Sequence, residues 1–402
     1  MGQLAAAFVG DGASLYEHPG ILAAVNAIEA ADAEGEKVLV FGRFTTPMRG
    51  LVELLNARAM LRCLDTSRSW PQASVQDDEW GAAQAAHRQM GRSGSLDRSA
   101  LDAQLSAQYR KLEAARERAR SQLLDSVEKG LAGMPHALRA QRLFASLLQS
   151  GQGLAALAKA LTEMLGDEDL EQSPLAWAQA FTELVEASSD RDEGDSDGDG
   201  QLDETEANKL WETLALRLED EFNRPQGGFA RLMNGDTSPS TRRLLQLAFN
   251  RGTSFPRVLV AQSLVGREGL NLHRACRTVV LLHPEWNPGV VEQQIGRVDR
   301  IGSRWEQLLA EAINDGVDPS KWPRIRILPV VFKGTYDEAN WRVLRQRWDE
   351  LRAQLHGVVI PESSRCGDAL TDCWIDQINA AAPNFSPSGV RQAPPVLAST
   401  AG

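Results

Sequence analysis

Cysteine is scarce in this chain of 402 residues: there are four, Cys63, Cys276, Cys366 and Cys373, and no two of them form a C-x-x-C pair. That excludes a disulfide framework and a cysteine-built zinc site, and leaves the four to be read as small buried residues. No apolar run reaches the length that spans a bilayer. The N-terminal MGQLAAAFVGDG has neither the basic flank nor the cleavage site of a signal peptide, so a cytosolic protein without a membrane partner is expected. There is no Gly-Lys dipeptide, which excludes a phosphate-cradling loop of the G-x-x-x-x-G-K-[ST] type. Nor is there an excess of basic residues. The formal net charge is -11, which would argue against a nucleic-acid binder if it were evenly spread.

It is not evenly spread. Residues 151–225 hold five Lys/Arg against twenty Asp/Glu, a balance of -15, so the remainder of the chain stands at +4. An acidic segment is set into a mildly basic protein. KVLVF (37–41) is a short apolar run of the kind that forms a strand, and a helical pattern with Leu51, Leu54 and Leu55 follows it. The same alternation returns at VLVAQ (258–262), TVVLL (278–282) and RIRILPVVF (324–332). Runs apolar on both faces predict a parallel sheet covered by helices, an α/β fold. From about 71 to 225 there is almost no strand signal. Leu101, Leu105, Tyr109 and Leu112 instead recur at helical spacing among charges, which predicts an all-α insertion, some of whose helices could pair as a coiled coil. The expected organisation is thus a lobe begun at 1–70, an insertion at 71–225, the lobe resumed at 226–357, and a partly unstructured Pro/Ser/Ala-rich tail at 358–402.

EQQIGRVDRIGS (292–303) sets Arg297 and Arg300 three residues apart, behind a glycine and two glutamines. Two cations on one turn suit an arriving phosphate, because the planar guanidinium fork matches its oxygens. The alternative is an ordinary surface helix on which the arginines pair with Asp299 and Glu292.

The surroundings of this turn decide between the two. PRVLVAQSLVGREGLNLHRA (256–275) and TVVLLHPEWNPGVVEQQIGRVDRIGS (278–303) together resemble motifs V and VI of superfamily 2 helicases, specifically Swi/Snf-related ATPases and bacterial RapA. HPGILAAVNAIEAADAEGEKVLVFGRFT (18–45) is similar to the block leading into motif IV. FARLMNGDTSPSTRRLLQLAFN (229–250) and VVFKGTYDEANWRVLRQRWDEL (330–351) are similar to later parts of the same lobe, the latter to its closing strand and bracing helix. The resemblance covers about residues 18–68 and 227–352, and implies a RecA-like C-terminal lobe. It implies further that Arg297 and Arg300 are arginine fingers, that Gln293 helps to sense the γ-phosphate, and that Gly266, Glu268, Gly269 and Asn271 form a turn near the nucleotide. For double-stranded DNA it points to Arg43, Thr45, Ser263 and Asn287. Ser303 stands where the family has glutamine, and Arg267 where it has a small residue.

A motor of this family also needs a first lobe that binds ATP and Mg2+, and the acidic clusters DDEW and DEDL follow no strand that could make them its magnesium site. The chain is therefore expected to be a fragment or one subunit of a split motor. It is expected to be inactive alone, to work with a separate chain carrying the Walker A lobe, and to act in the bacterial cytoplasm at the nucleoid. DSDGDGQLDETE (195–206) has the twelve-residue spacing of an EF-hand loop. Asp195, Asp197, Asp199, Asp203 and Glu206 are the candidate Ca2+ ligands, with the carbonyl of Gln201; a solvated Asp/Gly linker is the alternative. Two other functions compete with the motor. One is a non-enzymatic module whose helical insertion engages a protein partner; the other is a calcium-dependent scaffold, which would leave the motif order unexplained.

Overall fold

The structure, a computed structural model, describes residues 15–68, 70–165, 173–189, 193–194, 202–222, 228–252, 254–263, 270–355, 359–360 and 364–382. Two compact units divide the chain. The larger comprises residues 1–283 and 294–330, the smaller 284–293 and 331–402.

The larger unit is built on a five-stranded sheet of β1 (Lys37–Gly42), β2 (Ala230–Met233), β3 (Val258–Gln262), β4 (Cys276–Leu281) and β5 (Arg326–Pro329), in the order β2-β3-β1-β4-β5. Every pairing is parallel, and Val40 lies opposite Val260 on one side and Val280 on the other. All six residues of β1 are buried, as the continuous apolar run predicts for a central strand covered on both faces. The run at 324–332 yields a strand only at Arg326–Pro329, half-buried at the sheet edge. β2 was not predicted, because four residues with Arg231 among them make no apolar run. Arg231 is tied there by an ion pair to Glu221.

Helices α1 (Pro19–Ala33) and α2 (Thr45–Asp65) flank β1 in sequence. α1 starts where sequence rules place it: His18 Nδ1 accepts from the Gly20 amide at 3.2 Å, and Pro19 occupies the first turn. Leu51, Leu54 and Leu55 of α2 are all buried against the sheet core.

The segment predicted to be helical contains α3 (Trp80–Gln89), α4 (Arg98–Ala132), α5 (Leu138–Ser150), α6 (Leu154–Leu165), α7 (Pro174–Ser188) and α8 (Glu204–Phe222), and no strand among its described residues. Packing crosses both of its expected boundaries. α3, together with Leu101 and Leu105 of α4, belongs to the core of the sheet. A second core around Leu143, Leu161, Phe181 and Trp211 takes in Leu244 of α9 (Pro239–Phe249), which lies beyond the insertion in sequence. α4 approaches α7 closely at Gly130. A Cβ added at Gly130 would lie 2.0 Å from the Pro174 carbonyl oxygen and 2.7 Å from Ala178 Cβ.

Two further helices follow β4: α10 (Pro288–Ile295) and α11 (Arg304–Asn314). The smaller unit contains α12 (Tyr336–Leu355) and α13 (Ala369–Ala381). α13 lies in the tail predicted to be partly unstructured, and Asn379 on it exchanges two 2.9 Å hydrogen bonds with the backbone of Ile360. The expectation of four buried cysteines needs correction. Cys276 is buried and Cys63 half-buried, but Cys366 and Cys373 are exposed in this unit, where little apolar core exists to cover them. Among the described residues no helix is long and apolar enough to cross a membrane.

Candidate functional site

Residues 270–274, leading into β4, and the turn 296–304 between α10 and α11 are stitched together by backbone hydrogen bonds. The Leu272 amide donates to the Arg297 carbonyl at 3.1 Å, and the Arg304 amide to the His273 carbonyl at 2.7 Å. Asn250, just past α9, clamps the first stretch from behind. Its Nδ2 donates to the Asn271 carbonyl at 2.6 Å, and its Oδ1 accepts from the Arg274 amide at 3.1 Å. One short polar side chain thus satisfies backbone groups on both sides of His273. Ser303 is fully buried as the N-cap of α11, accepting from the Glu306 amide at 3.4 Å, and Glu306 reaches back to the Gly302 amide at 2.6 Å. This arrangement is close to a capping box, and it gives Ser303, the departure from the family pattern, a local purpose.

Arg297 is only 7 % exposed. Its Nη1 lies 3.5 Å from the Leu270 carbonyl, at the limit of a hydrogen bond, and its buried Nε has no partner. Arg300, half-buried, donates from Nε to the Gly296 carbonyl at 3.1 Å. Among the described residues neither arginine forms an ion pair. The two acids that could have neutralised them are engaged by tryptophans: Asp299 accepts from Trp305 Nε1 at 3.0 Å, and Glu292 from Trp348 Nε1. Elsewhere in the larger unit arginines do find carboxylates, as in Arg257–Asp32 at 2.9 Å and Arg277–Glu36 at 2.8 Å. Burial, and secondarily the charge of Arg300, lowers the pKa of Arg297 from its ordinary value. A buried guanidinium with an orphaned donor and no carboxylate partner costs stability, and a bound anion would offset that cost.

Two more sealed polar atoms in the stitched stretch have no hydrogen-bond partner, Asn271 Oδ1 and His273 Nδ1. Of the residues expected near the nucleotide, Asn271 is therefore placed here, while Gly266, Glu268 and Gly269 lie outside the described residues. Gln293 is exposed, in the smaller unit. Its neighbour Gln294 is 2 % exposed, and donates at 3.1 Å to Ser263 Oγ.

Ser263, expected at the DNA face, needs correction. It is 3 % exposed, and its hydroxyl donates to the Gly42 carbonyl at 3.2 Å, so it bridges the ends of β3 and β1 instead of facing solvent. Arg43 is exposed with its guanidinium over the Phe44 ring, 5.6 Å from the centroid, and Thr45 opens α2. Phe44 in turn meets His283 edge-on at 5.2 Å, and burial, reinforced by Arg43 and His18, pushes the His283 pKa down to about 4. Gly42 is required here: a Cβ would sit 2.6 Å from Met48 Sδ and 3.3 Å from His283 Nδ1. Asn287, exposed in the smaller unit, accepts from the Gly289 amide at 2.9 Å.

Of the calcium positions, Asp195, Asp197, Asp199 and Gln201 lie outside the described residues. Asp203 and Glu206 cap α8 reciprocally: the Glu206 amide donates to Asp203 Oδ1 at 2.7 Å and the Asp203 amide to Glu206 Oε2 at 3.0 Å. Among the described residues no three His, Cys, Asp or Glu side chains gather as a metal site. Sequence reasoning missed His273 and Asn250 as site residues. Both stand inside the quoted motif stretches, but nothing in their local spacing singles them out.

Among known proteins, the family described as Helicase conserved C-terminal domain matches residues 210–302, under a quarter of the chain. The match begins within α8, on the insertion side of the expected boundary, and ends at the turn that carries Arg297 and Arg300. No curated protein sequence matches. Among solved structures, the C-terminal part of the Fun30 ATPase domain aligns at 12 % identity over 86 % of this chain and 97 % of that one, with a TM-score of 0.23, too low to carry weight.

Proposed function

From the premise that the chain carries a helicase conserved C-terminal domain within a parallel α/β lobe, we propose that it is the C-terminal lobe of a Swi/Snf- or RapA-like, ATP-dependent translocase on double-stranded DNA. The observation that supports this best is Arg297, buried, with an orphaned Nε and no carboxylate partner among the described residues, beside an equally unneutralised Arg300. In that role Arg297 and Arg300 neutralise charge on the phosphates of ATP, with Asn271 in support. ATP with Mg2+, when bound, supplies the phosphoryl group, and a first lobe carrying the Walker A loop holds most of it. Such arginines accelerate phosphoryl transfer by roughly 10³- to 10⁵-fold when another lobe positions the nucleotide.

The test mixes the chain with a polypeptide bearing the Walker A lobe and with duplex DNA. The chain alone shows no ATP turnover above background. The mixture turns over ATP, and Arg300→Ala lowers kcat by about 10³-fold or more. An unchanged kcat in Arg300→Ala overturns the proposal in favour of a protein-interaction module, and turnover by the pure chain overturns its need for a first lobe.

DNA contact in this reading runs through the phosphate backbone, with Arg43, Thr45 and Asn287 as donors. With a net charge of -11 the chain alone grips duplex weakly, and its affinity falls steeply between 50 and about 200 mM salt, as counterion release requires. Fluorescence anisotropy with a labelled duplex measures this. A salt-resistant, sequence-specific complex contradicts it.

A further inference from the structure

Asn250 holds two peptide groups, and each of those groups also holds the arginine turn. The Asn271 carbonyl and the Leu272 amide belong to one planar peptide unit: the carbonyl accepts from Asn250 Nδ2 at 2.6 Å, and the amide donates to the Arg297 carbonyl at 3.1 Å. The His273 carbonyl and the Arg274 amide belong to another: the carbonyl accepts from the Arg304 amide at 2.7 Å, and the Arg274 amide donates to Asn250 Oδ1 at 3.1 Å. Because a peptide unit turns as a rigid plate, the side-chain amide of Asn250 sets the direction of both bonds that grip residues 297–304. Hydrogen bonding at one end of each plate also polarises the bond at the other.

The helical insertion in turn holds Asn250 on both sides in sequence. Before it, α9 buries Leu244 in the insertion core, and Arg243 Nε donates at 3.0 Å to the Ala187 carbonyl in the last turn of α7. Directly after it, Arg251 Nη2 pairs with Glu183 of α7 at 2.6 Å. A contiguous chain of contacts thus runs from α7 through Asn250 to the turn that carries Arg297 and Arg300.

We propose that Asn250 is a positioning residue for Arg297 and Arg300, and that α7 of the insertion controls it through α9 and Arg251. Displacing α7 loosens the turn at a distance. The consequence for anion binding rests on the phosphate-binding reading of the two arginines, whereas the coupling of the insertion to the turn does not.

Two measurements on the full chain test this: amide hydrogen exchange at Leu272 and Arg304, which needs no ligand, and the affinity for inorganic tripolyphosphate. Asn250→Ala should raise both exchange rates about tenfold and weaken tripolyphosphate binding about tenfold. Asn250→Asp keeps the acceptor for the Arg274 amide and loses the donor to the Asn271 carbonyl, so exchange should rise at Leu272 and stay at the parent rate at Arg304. Glu183→Gln combined with Arg243→Met loosens the grip of α7 and should change both measurements about threefold. In an Asn250→Ala background the same pair should add nothing. Parent exchange rates in Asn250→Ala, or a rise shared equally by the amides of β1, overturn the positioning role. If the α7 pair adds its full effect to that of Asn250→Ala, the route from the insertion is wrong. If the exchange changes appear but tripolyphosphate binding ignores Arg297→Ala and Arg300→Ala, the phosphate reading fails while the coupling stands.

Discussion

Lys37 shows how one residue can work against its own fold. It opens the central strand at 1 % exposure, its ammonium donating to the Ala248 carbonyl at 3.2 Å and to Ser254 Oγ at 3.3 Å and lying 5.4 Å from the Phe249 ring centroid. Burial, helped by Arg257, lowers its pKa from 10.5 to about 7. The unfolded chain keeps this proton up to about pH 10.5, while the folded chain releases it near 7, so Lys37 makes stability rise with pH across that window. Below pH 7 the full penalty of a buried charge applies. Lys37→Met should therefore stabilise the protein at pH 6 by about 1–3 kcal/mol, since Ser254 still donates to the Ala248 carbonyl. Urea unfolding of both proteins at pH 6 and pH 9 checks this; the gain should shrink at the higher pH, and a destabilised variant at pH 6 would refute the argument. Arg297 carries a comparable cost for a different reason. Lys37 has partners, whereas Arg297 keeps an orphaned donor next to a second unneutralised cation, and only the latter pattern points to a ligand.

At the scale of elements, apolar runs translated directly into β1, β3 and β4, because strands covered on both faces need no alternation. β2 stayed illegible: its pairing with β3 and the Arg231–Glu221 bridge decide its place, and neither is written in four residues. The contact of α4 with α7 was equally hidden, since it depends on a glycine that reads in sequence as a weak point of a long helix. Its structural role makes it testable. Gly130→Leu must displace the Pro174 backbone, a rigid neighbour, and should destabilise the protein by about 2–4 kcal/mol despite the better helix propensity of leucine. A thermal melt at or above the parent Tm would show that the two helices do not approach as described. Legibility of the site follows the same division. Motif order announced Arg297 and Arg300, but the commitments of Asp299 and Glu292 to tryptophans, which leave the arginines unneutralised, are tertiary facts.

For the molecule as a whole, the acidic segment of -15 stands apart in charge from the mildly basic remainder of the chain. Most of its candidate calcium loop lies outside the described residues, but Asp203 and Glu206 show how the C-terminal end of that loop serves α8. They form reciprocal caps that leave Glu206 buried at 8 % exposure. We propose that Ca2+ binds across Asp195–Glu206 and stabilises the insertion. Calorimetric titration with millimolar CaCl2 should give binding heat that Asp195→Ala removes, with a matching rise in Tm only for the parent chain. Silence in the parent chain, or unchanged heat in the variant, would leave a solvated acidic linker.

The sequence by itself determined the class of fold, the helical character of the interruption and the identity of the two arginines. Apolar runs, helical periodicity and motif order are local properties of the chain. Only the tertiary structure decided which groups remain unsatisfied. Whether a cation is neutralised depends on where every competing acid and carbonyl ends up, and here Asp299, Glu292, Ser263 and Ser303 were each claimed by partners that sequence spacing does not reveal. Arg297, which combines an orphaned Nε with the lack of any ion pair among the described residues, is what marks the site.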